Sequence, residues 1–162
     1  MAFDLTNDEQ VTAATAWGEA RGEGGLGIQA VISVISNRVN IARATRQHEF
    51  GGGGCAAKDA DGNSVEVSPA TFAAACLQPW QFSSWNIDDP NRAQILALDF
   101  DNPDEVLSAC ITYARQALAG ELSDNTGGAT FYKTTSLPWP EEWGPEVDPV
   151  TVIGHQSFYK LA

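Results

Sequence analysis

Trp17-Gly18-Glu19-Ala20-Arg21-Gly22-Glu23-Gly24-Gly25 closes one helix-like run and opens the next, placing two carboxylates, a guanidinium and four glycines at the junction. A helix that only had to fold would not end this way. Its last turn leaves free carbonyls that repel anions and favour Lys, Arg or His. Glu19 sits where the helix dipole opposes ionisation, near the indole of Trp17. A carboxyl so placed is expected to keep its proton toward neutral pH, as a general acid must. Arg21 pulls the other way, and the sequence leaves open whether it pairs with Glu23 and so frees Glu19. The plainer reading is solvated charge at a helix end, with the glycines as terminators.

Upstream, Thr6-Asn7-Asp8-Glu9 has the form of a capping box, which predicts a helix from about Asn7 to about Ala20 with Thr6 as its cap. Its stripes are small, Val11, Ala14 and Gly18 on one side and Ala13, Ala16, Trp17 and Ala20 on another, so a second helix can approach closely. Downstream, Leu26 to Val39 is apolar on nearly all sides, the pattern of a central helix. Asn37 and Arg38 interrupt it near its end, and a buried Asn-Arg pair must find hydrogen-bond partners.

From Ile41 to Val67 the periodicity fails, and the Gly-rich stretch at 51–67 reads as loop. Its acidic piece is not an EF-hand: counted from Asp59, the sixth and twelfth positions hold Ser64 and Ala70 rather than Gly and Glu. A turn at Asp61-Gly62 is expected instead. Ser68-Pro69 reads as the start of a short helix that stops before Pro79. Trp80-Gln81-Phe82-Ser83-Ser84-Trp85-Asn86 then alternates aromatic and amide or hydroxyl groups outside any helical period. Flat rings beside hydrogen-bonders are what a sugar cleft offers, which makes Gln81, Phe82, Ser83 and Trp85 candidate substrate contacts, although Trp80 and Phe82 also suit ordinary core. Asp89-Pro90 and Asn102-Pro103-Asp104-Glu105 look like further helix starts, the second running to Gly120.

The last third changes period. Ala129 to Lys133 and Val150 to Ile153 are short and β-prone, and the chain between them carries Pro138, Trp139, Pro140, Trp143 and Pro145. A small antiparallel sheet with an aromatic loop over it is expected, with Trp139 in that loop a further candidate contact and His155 a hydrogen-bonder in the cleft. The whole pattern is that of an α+β, mostly helical, single domain over 1–162.

Composition narrows the partners. At 43% hydrophobic and 19% charged the chain has a globular composition, and no apolar run approaches the ~18 residues of a membrane span. Nine basic against 21 acidic side chains give a net charge of −12, the wrong sign for nucleic acid or anionic lipid. Cys55, Cys76 and Cys110 lack metal-type spacing, and neither a metal nor a cofactor is expected. The start, Met1-Ala2-Phe3-Asp4-Leu5-Thr6, has no basic segment followed by an apolar one, so cytoplasmic synthesis without a signal peptide is expected, as a monomer.

Taken together, Trp17 to Glu23, Asn37-Arg38, Gln81-Phe82-Ser83, Gly127-Gly128-Ala129-Thr130-Phe131-Tyr132 and Gly154-His155-Gln156-Ser157-Phe158-Tyr159 resemble the SleB-type cell wall hydrolases, the catalytic module of spore cortex-lytic enzymes. The resemblance implies a lysozyme-like domain that cuts peptidoglycan between N-acetylmuramic acid and N-acetylglucosamine, typically as a lytic transglycosylase. It puts the catalytic glutamate at Glu19 and cleft residues at Gln81, Phe82, Tyr132 and His155, with Arg21, Glu23 and Asn37 behind them. The chain departs from the spore enzymes in its Gly-rich insertion, and it is expected to lack the signal peptide and the separate peptidoglycan-binding module common among them. A stand-alone domain of this kind looks like a phage endolysin, delivered to the wall by a holin or by the virion. Its acidity suits a salt-rich medium, where screening removes repulsion from anionic wall polymers.

Hydrolysis by inversion or ordinary retention needs two carboxylates, and only Glu19 is well placed, with Glu23, Asp88 or Asp89 as candidates for a second. The competing readings are a hydrolytic muramidase, an N-acetylmuramoyl-L-alanine amidase with a zinc or Cys-His centre, and a wall-binding or virion protein without chemistry.

Overall fold

A computed structural model describes residues 3–161; Met1, Ala2 and Ala162 lie outside the described residues, and with them the first two positions of the expected unsignalled start. The chain forms α1 (Asp8–Ala20), α2 (Gly24–Thr45), β1 (Cys55–Lys58), β2 (Ser64–Val67), α3 (Phe72–Leu77), α4 (Pro90–Leu96), α5 (Glu105–Leu118), β3 (Phe131–Thr134), β4 (Thr151–Ile153) and β5 (Gln156–Tyr159). This is the mostly helical α+β architecture that the sequence predicts.

α1 is lined with small residues, and that decides the packing. Val11, Ala13, Ala14 and Ala16 are fully buried, so α5, α2 and α3 all close on this one short helix. α2 supplies the bulk that α1 lacks: Val31, Ile32, Ile35 and Val39 are fully buried, each stabilising the fold by about 1.5–3 kcal/mol. The helix outruns its expected end at Val39 by six residues, ending where Arg46 turns left-handed at φ +60°.

Three expected caps move by one to three residues. Asn7, not Thr6, caps α1, accepting from Gln10 N at 3.0 Å, because the Thr6 hydroxyl is taken by Asp4 at 2.7 Å. Thr71, not Ser68, caps α3, since Ala70 adopts φ +56° and separates Pro69 from the helix. Asp104, not Asn102, caps α5, accepting from Leu107 N at 2.7 Å. Asp89 caps α4 as expected.

The stretch read as loop at 51–67 contains a hairpin. β1 pairs antiparallel with β2, Cys55 opposite Val67 and Lys58 opposite Ser64, around a turn in which Asp59 accepts from the amides of Asp61 and Asn63. The strands are short, and only Val67 is fully covered, so no period-2 apolar pattern marks them.

Near the carboxyl terminus the sheet has the order β3-β5-β4, antiparallel throughout. Its centre is β5, every residue of which is buried, and which the sequence reading did not separate from the chain after His155. Over it lies the aromatic loop: Trp139 and Trp143 meet edge to face at 5.2 Å, and both pack on Tyr159.

Candidate active site

Glu19 occupies the last turn of α1 and is half-buried. Its Oε1 accepts from the Tyr132 hydroxyl at 2.6 Å, and its Oε2 accepts from the backbone N–H of Ser84 at 3.2 Å. One partner comes from β3 and the other from a short 3-10 turn, Ser83–Trp85, so three separate segments converge on this carboxyl. Burial, and then the charge of Glu19, hold the Tyr132 phenol well above its usual range. Tyr132 is therefore a hydrogen-bond donor at any working pH.

The convergence depends on Gly18. A Cβ there would stand 2.5 Å from Ile95 Cδ1 and 3.0 Å from Ser84 Oγ, so the bare helix surface is what lets the 3-10 turn come close enough for its amide to reach Glu19. Ala is favoured over Gly by about 1 kcal/mol in a helix interior, yet overpacking a filled site costs roughly 1–3 kcal/mol. Gly18→Ala is accordingly expected to lower both the melting temperature and the activity. A higher melting temperature with full activity would contradict this packing.

Beneath Tyr132 lies Arg38, which is 3% exposed. Its Nε donates to the Thr130 carbonyl at 2.7 Å and its Nη1 to Gln81 Oε1 at 3.4 Å. Its guanidinium lies 4.9–5.2 Å from the ring centroids of Phe50, Phe82 and Phe131. Burial pushes Arg38 down to about 10, against the neighbouring Tyr132, Cys76, Glu49 and Glu19, and it stays cationic at neutral pH. The interruption at Asn37-Arg38 thus finds the partners its burial requires: Asn37 Nδ2 donates to Asp124 at 3.0 Å and to the Ala129 carbonyl at 2.8 Å.

The Arg21 question is answered by geometry. Arg21 lies 4.3 Å from the centroid of Trp17, donates to the carbonyls of Trp17 and Gly18 and reaches Asn91 Oδ1 at 2.7 Å. It closes the end of α1, as a cation should. Glu23 turns instead to the β4–β5 turn, its Oε2 meeting the His155 backbone N at 3.4 Å and the ring Nδ1 at 3.3 Å. Gly154 is part of that fit, since at φ +58° a Cβ would lie 2.6 Å from Glu23 Oε2.

Of the other residues singled out in the sequence, Ser83 is exposed and Gln81 half-buried. Phe82 is 1% exposed and lies under the surface against Tyr132 and Arg38. Trp85 also faces inward, its ring tilted against Phe3 at 6.1 Å and its Nε1 donating to Thr15 Oγ1 at 2.8 Å, and Trp139 is fixed in its aromatic cluster with Nε1 on the Gly144 carbonyl. The hydrogen bonds to Glu19 come from Tyr132 and Ser84, not from these two rings or Asn37.

The sequence reading missed two residues. Ser84 acts through a backbone amide, which no side-chain pattern announces. Asp124 accepts from Thr126 N and Oγ1, Gly128 N and Asn37, setting the turn that delivers β3. An Asx-type signal, Asp124-Asn125-Thr126-Gly127-Gly128, was there to be read.

All three cysteines are free, and burial raises Cys76 and Cys110 to about 12 and Cys55 to about 11. Among the described residues no three His, Cys, Asp or Glu side chains gather as a metal site, and no helix is long and apolar enough to cross a membrane.

The family described as Cell Wall Hydrolase matches residues 62–159, which include the blocks around Gln81, Tyr132 and His155; the Glu19 stretch lies amino-terminal to that match. The catalytic domain of the germination-specific lytic transglycosylase SleB from Bacillus anthracis aligns with a TM-score of 0.57 and 24% identity, over 94% of this chain and 93% of that one. The catalytic domain of the Bacillus cereus SleB protein aligns with a TM-score of 0.58 and 24% identity, over 94% and 89%. These likenesses give the lysozyme-like fold. No curated protein matches the sequence.

Proposed function

Since the chain belongs to the cell wall hydrolase family, we propose that it cleaves peptidoglycan glycan strands between N-acetylmuramic acid and N-acetylglucosamine as a lytic transglycosylase, with Glu19 as the one acid and base. The observation that carries this reading is the setting of Glu19, a carboxyl held from two sides by Tyr132 and Ser84.

In the first step the Glu19 carboxyl gives its proton to the glycosidic oxygen, the bond from that oxygen to C1 of the muramic sugar breaks, and the leaving sugar departs as an alcohol. The substrate's own N-acetyl oxygen stabilises the cationic C1. In the second step the C6 hydroxyl of the same sugar attacks C1 and its proton returns to Glu19, leaving a 1,6-anhydro ring and no net uptake of water. Both hydrogen bonds to Glu19 gain strength when the carboxylate forms, so they favour the transition state over the protonated ground state.

Two of the three candidates for a second carboxylate are engaged elsewhere. Glu23 is engaged by His155, and Asp89 is spent on the α4 cap, accepting from Asn91 N at 2.8 Å. Burial holds the Cys76 and Cys110 thiols high, Cys76 even with Arg38 nearby, the opposite of the lowered thiol that a Cys-His amidase needs.

The test is the mass of the digestion products: chains ending in anhydromuramic acid support the reading, and products all heavier by one water overturn it in favour of a muramidase. Tyr132→Phe is expected to lower kcat about 10–100-fold with little change in KM, the loss of a hydrogen bond to a charged group. An unchanged kcat would remove Tyr132 from this role. A phage endolysin role is the delivery proposal that accompanies the reading. Lysis of a producing host only when a holin is co-expressed would support it, and lysis without one would count against it.

A further inference from the structure

Gln78-Pro79-Trp80-Gln81 forms a turn, closed by the Gln81 N–H donating to the Gln78 carbonyl at 3.3 Å. Pro79 stands second and Trp80 third, and Trp80 has φ +72°. That is the pattern of a type II turn, whose third position glycine ordinarily fills because an L side chain there crowds the backbone. Packing does not explain the indole either. Trp80 is 81% exposed, the most exposed large apolar side chain among the described residues, and no ring or cation among them packs on it. A strained backbone holding an aromatic face in water, with no stabilising contact in return, points to function rather than folding.

Its position says which function. The turn runs directly into Gln81, which accepts from Arg38, and into Ser84, whose amide holds Glu19. The indole is thus carried by the same short segment that positions the proposed acid. A flat, uncharged, amphipathic ring suits the C–H face of a pyranose, and in a protein of net charge −12 it attracts a wall polymer without needing a basic patch.

We propose that Trp80 is a stacking platform for one sugar ring of the glycan strand. The inference rests on the glycosidase reading above and names a contact that sets affinity for the strand. The left-handed turn fixes the direction of the Trp80 Cα–Cβ bond, so that only two side-chain torsions remain to be ordered when a sugar docks.

Trp80→Gly separates this role from a structural one, because glycine relieves the backbone. The melting temperature is expected to hold or rise. KM for purified glycan strands is expected to rise roughly five- to tenfold, as for loss of one aromatic contact, with the effect falling on KM rather than kcat. Binding of Glu19→Gln protein to insoluble peptidoglycan is expected to weaken by a similar factor when Trp80→Gly is added, and Trp80→Phe to recover most of it. Cleavage by the parent protein with the same KM in Trp80→Gly overturns the platform and leaves the glycosidase reading intact. A parent protein that neither cuts nor binds glycan overturns both. A fall in melting temperature that accounts for the lost activity makes Trp80 structural and also overturns the proposal.

Discussion

Glu19→Gln is expected to leave the protein folded and to lower glycan cleavage by about 10²–10⁴-fold, the usual contribution of a general acid. The amide keeps nearly the same shape: its carbonyl oxygen still accepts from the Ser84 N–H while its NH2 group can donate to the Tyr132 hydroxyl oxygen, so only the acceptor for the Tyr132 O–H is lost, about 1 kcal/mol. What disappears is the proton. The melting temperature should therefore stay within a few degrees of the parent's, and binding to intact walls should survive. Measured by release of soluble fragments from purified peptidoglycan, activity within tenfold of the parent would show that another group does the chemistry.

The second large effect is on stability. Arg38→Ala removes the donor to the Thr130 carbonyl and the cation between Phe50, Phe82 and Phe131, leaving an unpaired buried carbonyl and a void at the base of the site. An unpaired buried carbonyl costs about 1–3 kcal/mol and the void left by a large side chain about 2–5 kcal/mol more, and a total of roughly 3–5 kcal/mol in a domain of this size is roughly 6–20 °C of melting temperature. Arg38→Met refills much of the space and should recover part of the loss, though not the bond to Thr130. Thermal unfolding followed by circular dichroism gives the answer. A melting point for Arg38→Ala within about 2 °C of the parent's would show that the three rings pack as well without the cation. Because Thr130 precedes β3, the same substitution should loosen Tyr132 and reduce activity beyond what unfolding explains.

How much of this was legible in the sequence follows from what each signal consists of. α1, α2 and α5 were readable because apolar residues repeat at helical spacing over three turns or more, and α4 because Asp89-Pro90 offers one cap and no rival. The other caps moved because two or three residues in each start compete for the job, and the winner is set by contacts the pattern does not encode, such as Asp4 taking the Thr6 hydroxyl. The β1–β2 hairpin was invisible because its strands are mixed and mostly exposed, held by backbone pairing and an Asp59 turn. At the site, Tyr132 and Glu19 were singled out and do meet. Aromaticity makes Phe82 and Trp85 candidate sugar contacts, but it does not say which way a ring faces, and both face inward. Trp80, which the sequence leaves open between cleft and ordinary core, is the ring left in solvent. The positive φ that holds it there belongs to the folded turn.

The proposed chemistry turns on whether water or the substrate's own C6 hydroxyl completes the reaction at C1. Digestion of purified glycan strands in water enriched in oxygen-18, with Glu19→Gln as the blank, reads this directly. Muramic ends that carry no label and form the anhydro ring are the predicted result, and label at C1 of those ends would contradict the single-carboxyl account.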